Sequence, residues 1–275
     1  MAFKNLALVL FIPLLTNNFN LNKRTLTPVM YRSQANALQF DGVTLGVFPI
    51  DTIDYYTGET KILPAAIMLD MPKPGDQGMQ RSCGAWATVY GAGNFYMHLN
   101  TGKAYNDSEN LNPDFIYNQL SKGRCGITSL LDNLLLFKSE GSCSMKAMPY
   151  NSGDCVTQPD SLQRVDAKSF KIKGWKKIDP YNILVLKSAL SKKKPVIFSV
   201  VIDEGFDKIT APFVWKERCG RLEQTHTMVV AGYDDARDAF LVMNSWGTVW
   251  GEKGFIWIDY KFFSDNVLPE SYILI

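Results

Sequence analysis

Pro195 divides the chain into two stretches of different periodicity, and this change constrains the fold more than any other feature. Before it, apolar residues recur at three- and four-residue steps. Over residues 83–99, Trp86, Val89, Tyr90, Gly93 and Tyr96 keep that step, which predicts a helix with one face against a core. A second helix is expected to open at Asn112-Pro113, where asparagine can cap free amides and proline fits the first turn, with Phe115, Ile116 and Leu120 pointing inward. A third, residues 129–140, carries Leu130, Leu131, Leu134, Leu135 and Phe137 and stops at Gly141. Residues 141–164 read as loop, and one more helix is expected from Asp179-Pro180 to Pro195. Beyond Pro195 the apolar runs shorten to 196–202, 228–230, 240–243, 255–258 and 272–275, separated by Gly and Asp turns, which is the pattern of strands.

Helices first and strands second give an α+β fold rather than alternating units. We assign residues 63–165 to a helical half and residues 166–275 to an antiparallel sheet or barrel half, with a cleft between them as the natural place for a site. The 275 residues are enough for two such halves sharing one interface.

The first 62 residues stand apart. Lys4 is followed by an apolar run over residues 6–15, broken by Pro13, and then by Thr16, Asn17 and Asn18, which is the anatomy of a signal peptide over residues 1–19. Ten apolar residues fall short of the ~20 that cross a bilayer. A secreted or periplasmic protein without a membrane span is expected. Residues 20–62 show no helical period and are assigned as an N-terminal extension, a candidate pro-segment. Lysine plus arginine exceed aspartate plus glutamate by 29 − 27 = 2, too small a field to argue for nucleic acid as partner. The cluster Lys192 to Lys194 reads as a solvated helix end, and a monomer is expected.

None of the five cysteines, Cys83, Cys125, Cys143, Cys155 and Cys219, forms a C-x-x-C pair, so no metal site is expected. An odd count in an exported protein leaves at least one thiol unbridged. Cys143 and Cys155 bracket a short loop containing Pro149 and are the expected bridge; Cys125 and Cys219 are left open.

Cys83 falls where a Pro- and Gly-rich loop, residues 71–80, gives way to the first helix. Unpaired amides at a helix start favour an anion, and the thiolate is the reactive form of cysteine. The structural alternative is a small buried apolar residue. Two histidines compete as base. His98 lies near the far end of the same helix, about 22 Å along the axis at 1.5 Å per residue, and cannot reach Cys83. His226 opens the strand-like run Thr227-Met228-Val229-Val230 and would project from a strand end.

Three segments in order then resemble the papain family of cysteine peptidases. They are Asp76-Gln77-Gly78-Met79-Gln80-Arg81-Ser82-Cys83, then His226 with Gly232-Tyr233, then Asn244-Ser245-Trp246-Gly247 through Gly254-Phe255. His226 follows Cys83 by 226 − 83 = 143 residues, within the ~130 to 150 typical of that family. The resemblance implies a papain-like fold over residues 63–275 and an endopeptidase acting on polypeptides without metal or organic cofactor. It further implies Cys83 as nucleophile, His226 as base, Asn244 as orienter of the imidazole and Gln77 as an oxyanion donor beside the Cys83 amide. Trp246 would shield the Asn244 to His226 hydrogen bond, and Gly126 would bind substrate through its backbone.

The chain also departs from the family pattern. Gln80 stands where the family has a second cysteine, so Cys125 lacks its usual partner; Gly84 replaces the tryptophan after the nucleophile; Ile127 and Thr128 replace glycines. A ligase or acyl transferase using the same acyl-enzyme, and a binding module that has lost catalysis, are the alternatives. The second predicts damage at Cys83, His226, Asn244 or Gln77, and all four are present.

Overall fold

The computed structural model describes residues 55–58, 62–210 and 213–275. The apolar run at residues 6–15 and nearly all of the 20–62 extension lie outside them. Helix α1 runs without a break through three segments, Cys83–Ala85, Trp86–Gly93 and Asn94–Thr101, the middle one wound as a π-helix. It is followed by α2 (Pro113–Ser121), α3 (Leu130–Ser139), α4 (Ser161–Ala167), α5 (Ile183–Ser191) and α6 (Tyr260–Asn266).

Local chemistry explains where these helices start. Asn112 accepts the Asp114 amide at 2.8 Å and Pro113 occupies the first turn of α2. Ser129 caps α3 in the same way. The helix expected from residue 179 begins later, because Asp179 folds back to accept the Tyr181 amide in a turn and Asn182 provides the cap, to Val185. Within the stretch read as loop, α4 is opened by a capping box in which Asp160 and Gln163 each accept the other's amide.

The strands are β1 (Tyr55–Tyr56), β2 (Ala66–Met68), β3 (Trp175–Ile178), β4 (Val196–Asp203), β5 (Val214–Trp215), β6 (Leu222–Asp234), β7 (Ala239–Met243), β8 (Phe255–Asp259) and β9 (Val267–Leu274). They form one sheet in the order β1-β3-β9-β4-β6-β7-β8-β5, with β2 added to the far end of β6. All pairings are antiparallel except β1 with β3 and β5 with β8. Helices before and mainly antiparallel strands after make the fold α+β. Tyr55–Tyr56 and β2, which precede the helices in the chain, also join the sheet.

Side chains alternate across a strand, and here both faces are buried. Along β6, Met228, Val230 and Tyr233 enter a core with Phe198, Phe240 and α5. Val229 and Ala231 enter a second core with α1, α2 and α3. Helix α1 therefore lies inside the molecule. Every residue from 82 to 95 is buried rather than one face only, because the helix has the sheet on one side and α3 on the other. Two glycines permit that approach: a Cβ at Gly91 would stand 2.9 Å from Val229, and one at Gly93 would stand 2.9 Å from Phe137.

The cysteines correct one expectation. Cys155 bridges Cys125, with Cα atoms 5.4 Å apart, and the Cys143–Cys155 bridge does not form. Residues 143 and 144 are held against residues 111 and 112, through Asn112 N–H to Cys143 O and the Leu111–Ser144 bridge. That turns Cys143 into the helical core as a free buried thiol, while Cys155 packs apart from it with Ala85 and Tyr117. Among the described residues, Cys83 and Cys219 are also free.

Candidate active site

The first turn of α1 presents Cys83 to β6. Ser82 occupies the cap position without a side-chain cap bond, leaving the first amides of the helix to other acceptors. The amides of Cys83, Gly84 and Thr227 and the Thr227 hydroxyl lie near enough to the sulfur to favour its thiolate. Thr227 shares its hydroxyl with Ser199 at 2.9 Å. The sulfur thus lies beside the residue that follows His226. Burial pushes the Cys83 thiol up, and these four donors oppose that shift.

His226 sits within β6, opposite Val200 of β4, and is buried. Its Nε2 is 2.7 Å from Asn244 Oδ1. The Ser245 amide, which can only donate, reaches the same oxygen at 2.8 Å. That fixes Oδ1 as an acceptor, so His226 Nε2 carries the proton and Nδ1 is left free of it. Trp246 tilts over the imidazole with centroids 4.9 Å apart, and Phe206 closes the ring's other edge at 6.1 Å. Phe206 in turn contacts Trp215, Trp246 and Trp250, so an aromatic cluster backs the histidine. Burial drives the His226 imidazolium down to about 4, against which the Asn244 hydrogen bond holds it up.

Gln77 is buried and held at both ends of its amide. Its Nε2 donates to Gln80 O at 2.7 Å, and its Oε1 accepts from Ser245 Oγ at 2.6 Å. The two loops are also joined through the backbone. Gln77 N–H donates to Ser245 O, Gly247 N–H donates to Gly75 O, and Asp76 bridges Trp246. Gln77 thereby lies in a short antiparallel seam whose second strand begins at the residue after Asn244.

Gly126 accepts from Tyr117 through its carbonyl at 3.1 Å, and open space lies where its side chain would be. Two residues on, the Thr128 carbonyl passes 3.5 Å from the position a Gly84 Cβ would take, which brings the 126–128 stretch alongside the residue after Cys83. His98 is at the other end of α1, stacked on Tyr105 with its Nδ1 against Lys103 O. Sequence reasoning passed over Thr227, Ser245, Gln80 and Tyr150 as contributors to the site. Adjacency to His226 and Asn244 was the available signal for the first two, and the three-residue spacing from Gln77 for Gln80; Tyr150 becomes a neighbour only on folding. Among the described residues no group of side chains is arranged to hold a metal ion, and no helix is long and apolar enough to cross a membrane.

Comparisons with known proteins agree with this geometry. The chain is 27% identical over 197 residues to the Dictyostelium discoideum protein named "Gamete and mating-type specific protein A", covering 72% of this chain and 42% of that one. It is 32% identical over 190 residues to "Senescence-specific cysteine protease SAG39" of Oryza sativa subsp. indica, covering 66% of this chain and 52% of that one. It is 28% identical over 191 residues to cathepsin K of Gallus gallus, covering 66% and 53%. The chain thus spans about half the length of the curated relatives it matches. Among solved structures, xylellain, a cysteine protease from Xylella fastidiosa, superposes with a TM-score of 0.71 at 21% identity over 82% of this chain and 92% of that one, which shows the fold. The family model described as "Papain family cysteine protease" matches residues 72–266, and with the papain-like arrangement of helices, sheet and seam this chain belongs to that family.

Proposed function

We propose that the chain is a cysteine endopeptidase in which Cys83, His226, Asn244 and Gln77 act on a peptide carbonyl. The observation that carries this reading is the seam: Asn244 Oδ1 lies 2.7 Å from His226 Nε2, and the next residue, Ser245, pairs with Gln77 and holds its amide in a fixed orientation. Nδ1 of His226 is the nitrogen left to exchange a proton with the Cys83 thiol. Burial disfavours either charge alone in this place, raising the thiol and lowering the imidazole. Moving the proton from sulfur to imidazole creates both charges side by side, and donors to the sulfur with Asn244 behind the ring offset the desolvation.

The thiolate attacks the carbonyl carbon, and the carbonyl oxygen becomes an oxyanion facing the Cys83 amide and the spare N–H of Gln77. His226 gives its proton to the amine as the C–N bond breaks, leaving a thioester on Cys83. Water then attacks the thioester, His226 takes the water's proton, and the acid leaves as the thiol is restored. Trp246 keeps water from the Asn244 to His226 bond, and Gly126 offers its backbone to an extended substrate.

Export fits the same picture, supported by the apolar run at residues 6–15 and by the Cys125–Cys155 disulfide, which persists in oxidising compartments. Residues 20–62 are proposed as a pro-segment. The test is cleavage of a broad peptide library by wild type and Cys83→Ala, beside labelling by a thiol-directed epoxide across pH. The reading requires cleavage that Cys83→Ala loses; a wild type that cleaves nothing and whose Cys83 alkylates no faster than an ordinary thiol would overturn it.

A further inference from the structure

We infer that Gln80 is a positioning residue for the oxyanion donor, dictating which end of the Gln77 amide faces the substrate. The inference rests on the reading of Gln77 given above. Gln77 and Gln80 close a turn in which the Gln80 amide donates to Gln77 O at 3.3 Å and the Gln77 side-chain Nε2 donates back to Gln80 O at 2.7 Å. Of the two groups that grip the Gln77 amide, the Ser245 hydroxyl can donate or accept, so it tolerates either orientation. The Gln80 carbonyl only accepts. It therefore forces the NH2 end toward itself, uses one hydrogen, and leaves the second N–H of Gln77 for an oxyanion.

The carbonyl can dictate orientation only if it is itself fixed, and the Gln80 side chain fixes it. Buried, it makes three hydrogen bonds. Nε2 donates to Asp114 Oδ1 at 2.8 Å and to Asp154 O at 2.6 Å, and Oε1 accepts from Tyr150 at 2.9 Å. Each partner belongs to rigid surroundings. Asp114 is in the first turn of α2 and accepts the Asn151 amide through Oδ2 at 2.8 Å. The Tyr150 ring packs edge-on against Trp86 of α1, and its hydroxyl also lies 2.9 Å from Gln77 O. The turn with Met79 exposed at its tip is thus tied by one side chain to α2 and to the 150–154 loop.

The experiment uses the full chain, with Gln80→Met to remove the three side-chain bonds at similar volume and Tyr150→Phe to remove one of them, together with the hydroxyl's contact to Gln77 O, while keeping the ring. Gln77→Ala and the double variants with it complete the set. Peptide hydrolysis is followed in parallel with alkylation of Cys83 by iodoacetamide, a displacement that builds no oxyanion on a carbonyl. The expected result is a kcat lowered about tenfold for each single variant, part of the ~10² to 10³ that a lost donor costs. KM and alkylation rate should stay within about twofold, and neither substitution should lower kcat further once Gln77 is alanine. Effects that add to Gln77→Ala, or an alkylation rate that falls with kcat, would overturn the inference; so would an unchanged kcat. If Gln80→Met does not fold, Tyr150→Phe decides by the same criteria. An unchanged kcat in Gln77→Ala itself would instead refute the role given to Gln77 above.

Discussion

Replacing both Cys125 and Cys155 by alanine should destabilise the fold by about 3.5 kcal/mol. The cross-link closes a loop with a sequence separation of 30. Restricting the unfolded chain by such a loop removes about 2.1 + 1.5R ln n cal/mol/K, which for this n comes to roughly 12 cal/mol/K, or about 3.6 kcal/mol at 25 °C. For a domain of this size each kcal/mol moves the melting midpoint by about 2 to 4 °C, so a fall near 10 °C is expected. The assay is urea unfolding of wild type and the double variant, each with and without dithiothreitol. Wild type in reductant should coincide with the double variant, and the variant should ignore the reductant. A loss below about 1 kcal/mol, or a wild type indifferent to reductant, would refute the reasoning. Cys143→Ala is the companion control, because its thiol is free in the core: it should cost only what a small buried side chain contributes, about 1 kcal/mol, and leave the response to reductant intact.

Other expectations follow from the packing and charges of the site. A histidine held down to about 4 from an unfolded value near 6.5 contributes stability that is complete above pH 6.5 and is lost as pH falls toward 4, about 3 kcal/mol in all. His226→Phe should remove that loss in urea titrations, and an unchanged pH dependence would count against burial of the imidazole. Asp114, raised by burial to about 6, works in reverse, costing up to about 3 kcal/mol as pH rises from about 4 to 6, so the wild-type curve should be flatter than either contribution alone. Gly232→Ala would put a Cβ 2.4 Å from Ile67 O, where β2 lies on β6, and should destabilise by about 1 to 3 kcal/mol; a neutral melting curve would show that the strands part freely. Trp246→Ala should lower kcat about tenfold by admitting water to the Asn244 to His226 bond, and no change in turnover would remove the shielding role.

How much could be read from the chain beforehand depended on how local the cause was. The start of α2 is written in two adjacent residues, Asn112 and Pro113, and that of α3 in Ser129, so both were legible. Helix α4 also announced itself through Asp160 and Gln163. Apolar periodicity does not reveal it, because it is short and exposes Leu162 and Val165, so no apolar stripe marks it. The three-and-four step in α1 revealed one packed side; the other sides and the π-turns depend on the sheet and α3, which no local pattern reports. Strand β3, with Lys176 and Lys177 between its ends, lacks the apolar alternation that exposed the later strands. The disulfide eluded sequence because loop length favoured the nearer pair, whereas pairing follows from which core each cysteine faces. Cys83, His226, Asn244 and Gln77, the residues of the proposed site, are singled out by three ordered motifs. Gln80, Asp114 and Tyr150 are not, since 34 and 70 residues separate Gln80 from its partners.

The seam between residues 75–77 and 245–247 also sets where the chain can change length. Backbone pairing measures one loop against the other, so a single residue inserted between Gln77 and Cys83, or between Asn244 and Trp246, would shift two chemical groups at once. The tip at Thr248 and Val249 is bound by no such ruler and stands exposed. Variation in length among related chains should therefore collect at that tip and spare the paired residues, which makes the tip the natural place to graft a longer loop without disturbing the chemistry.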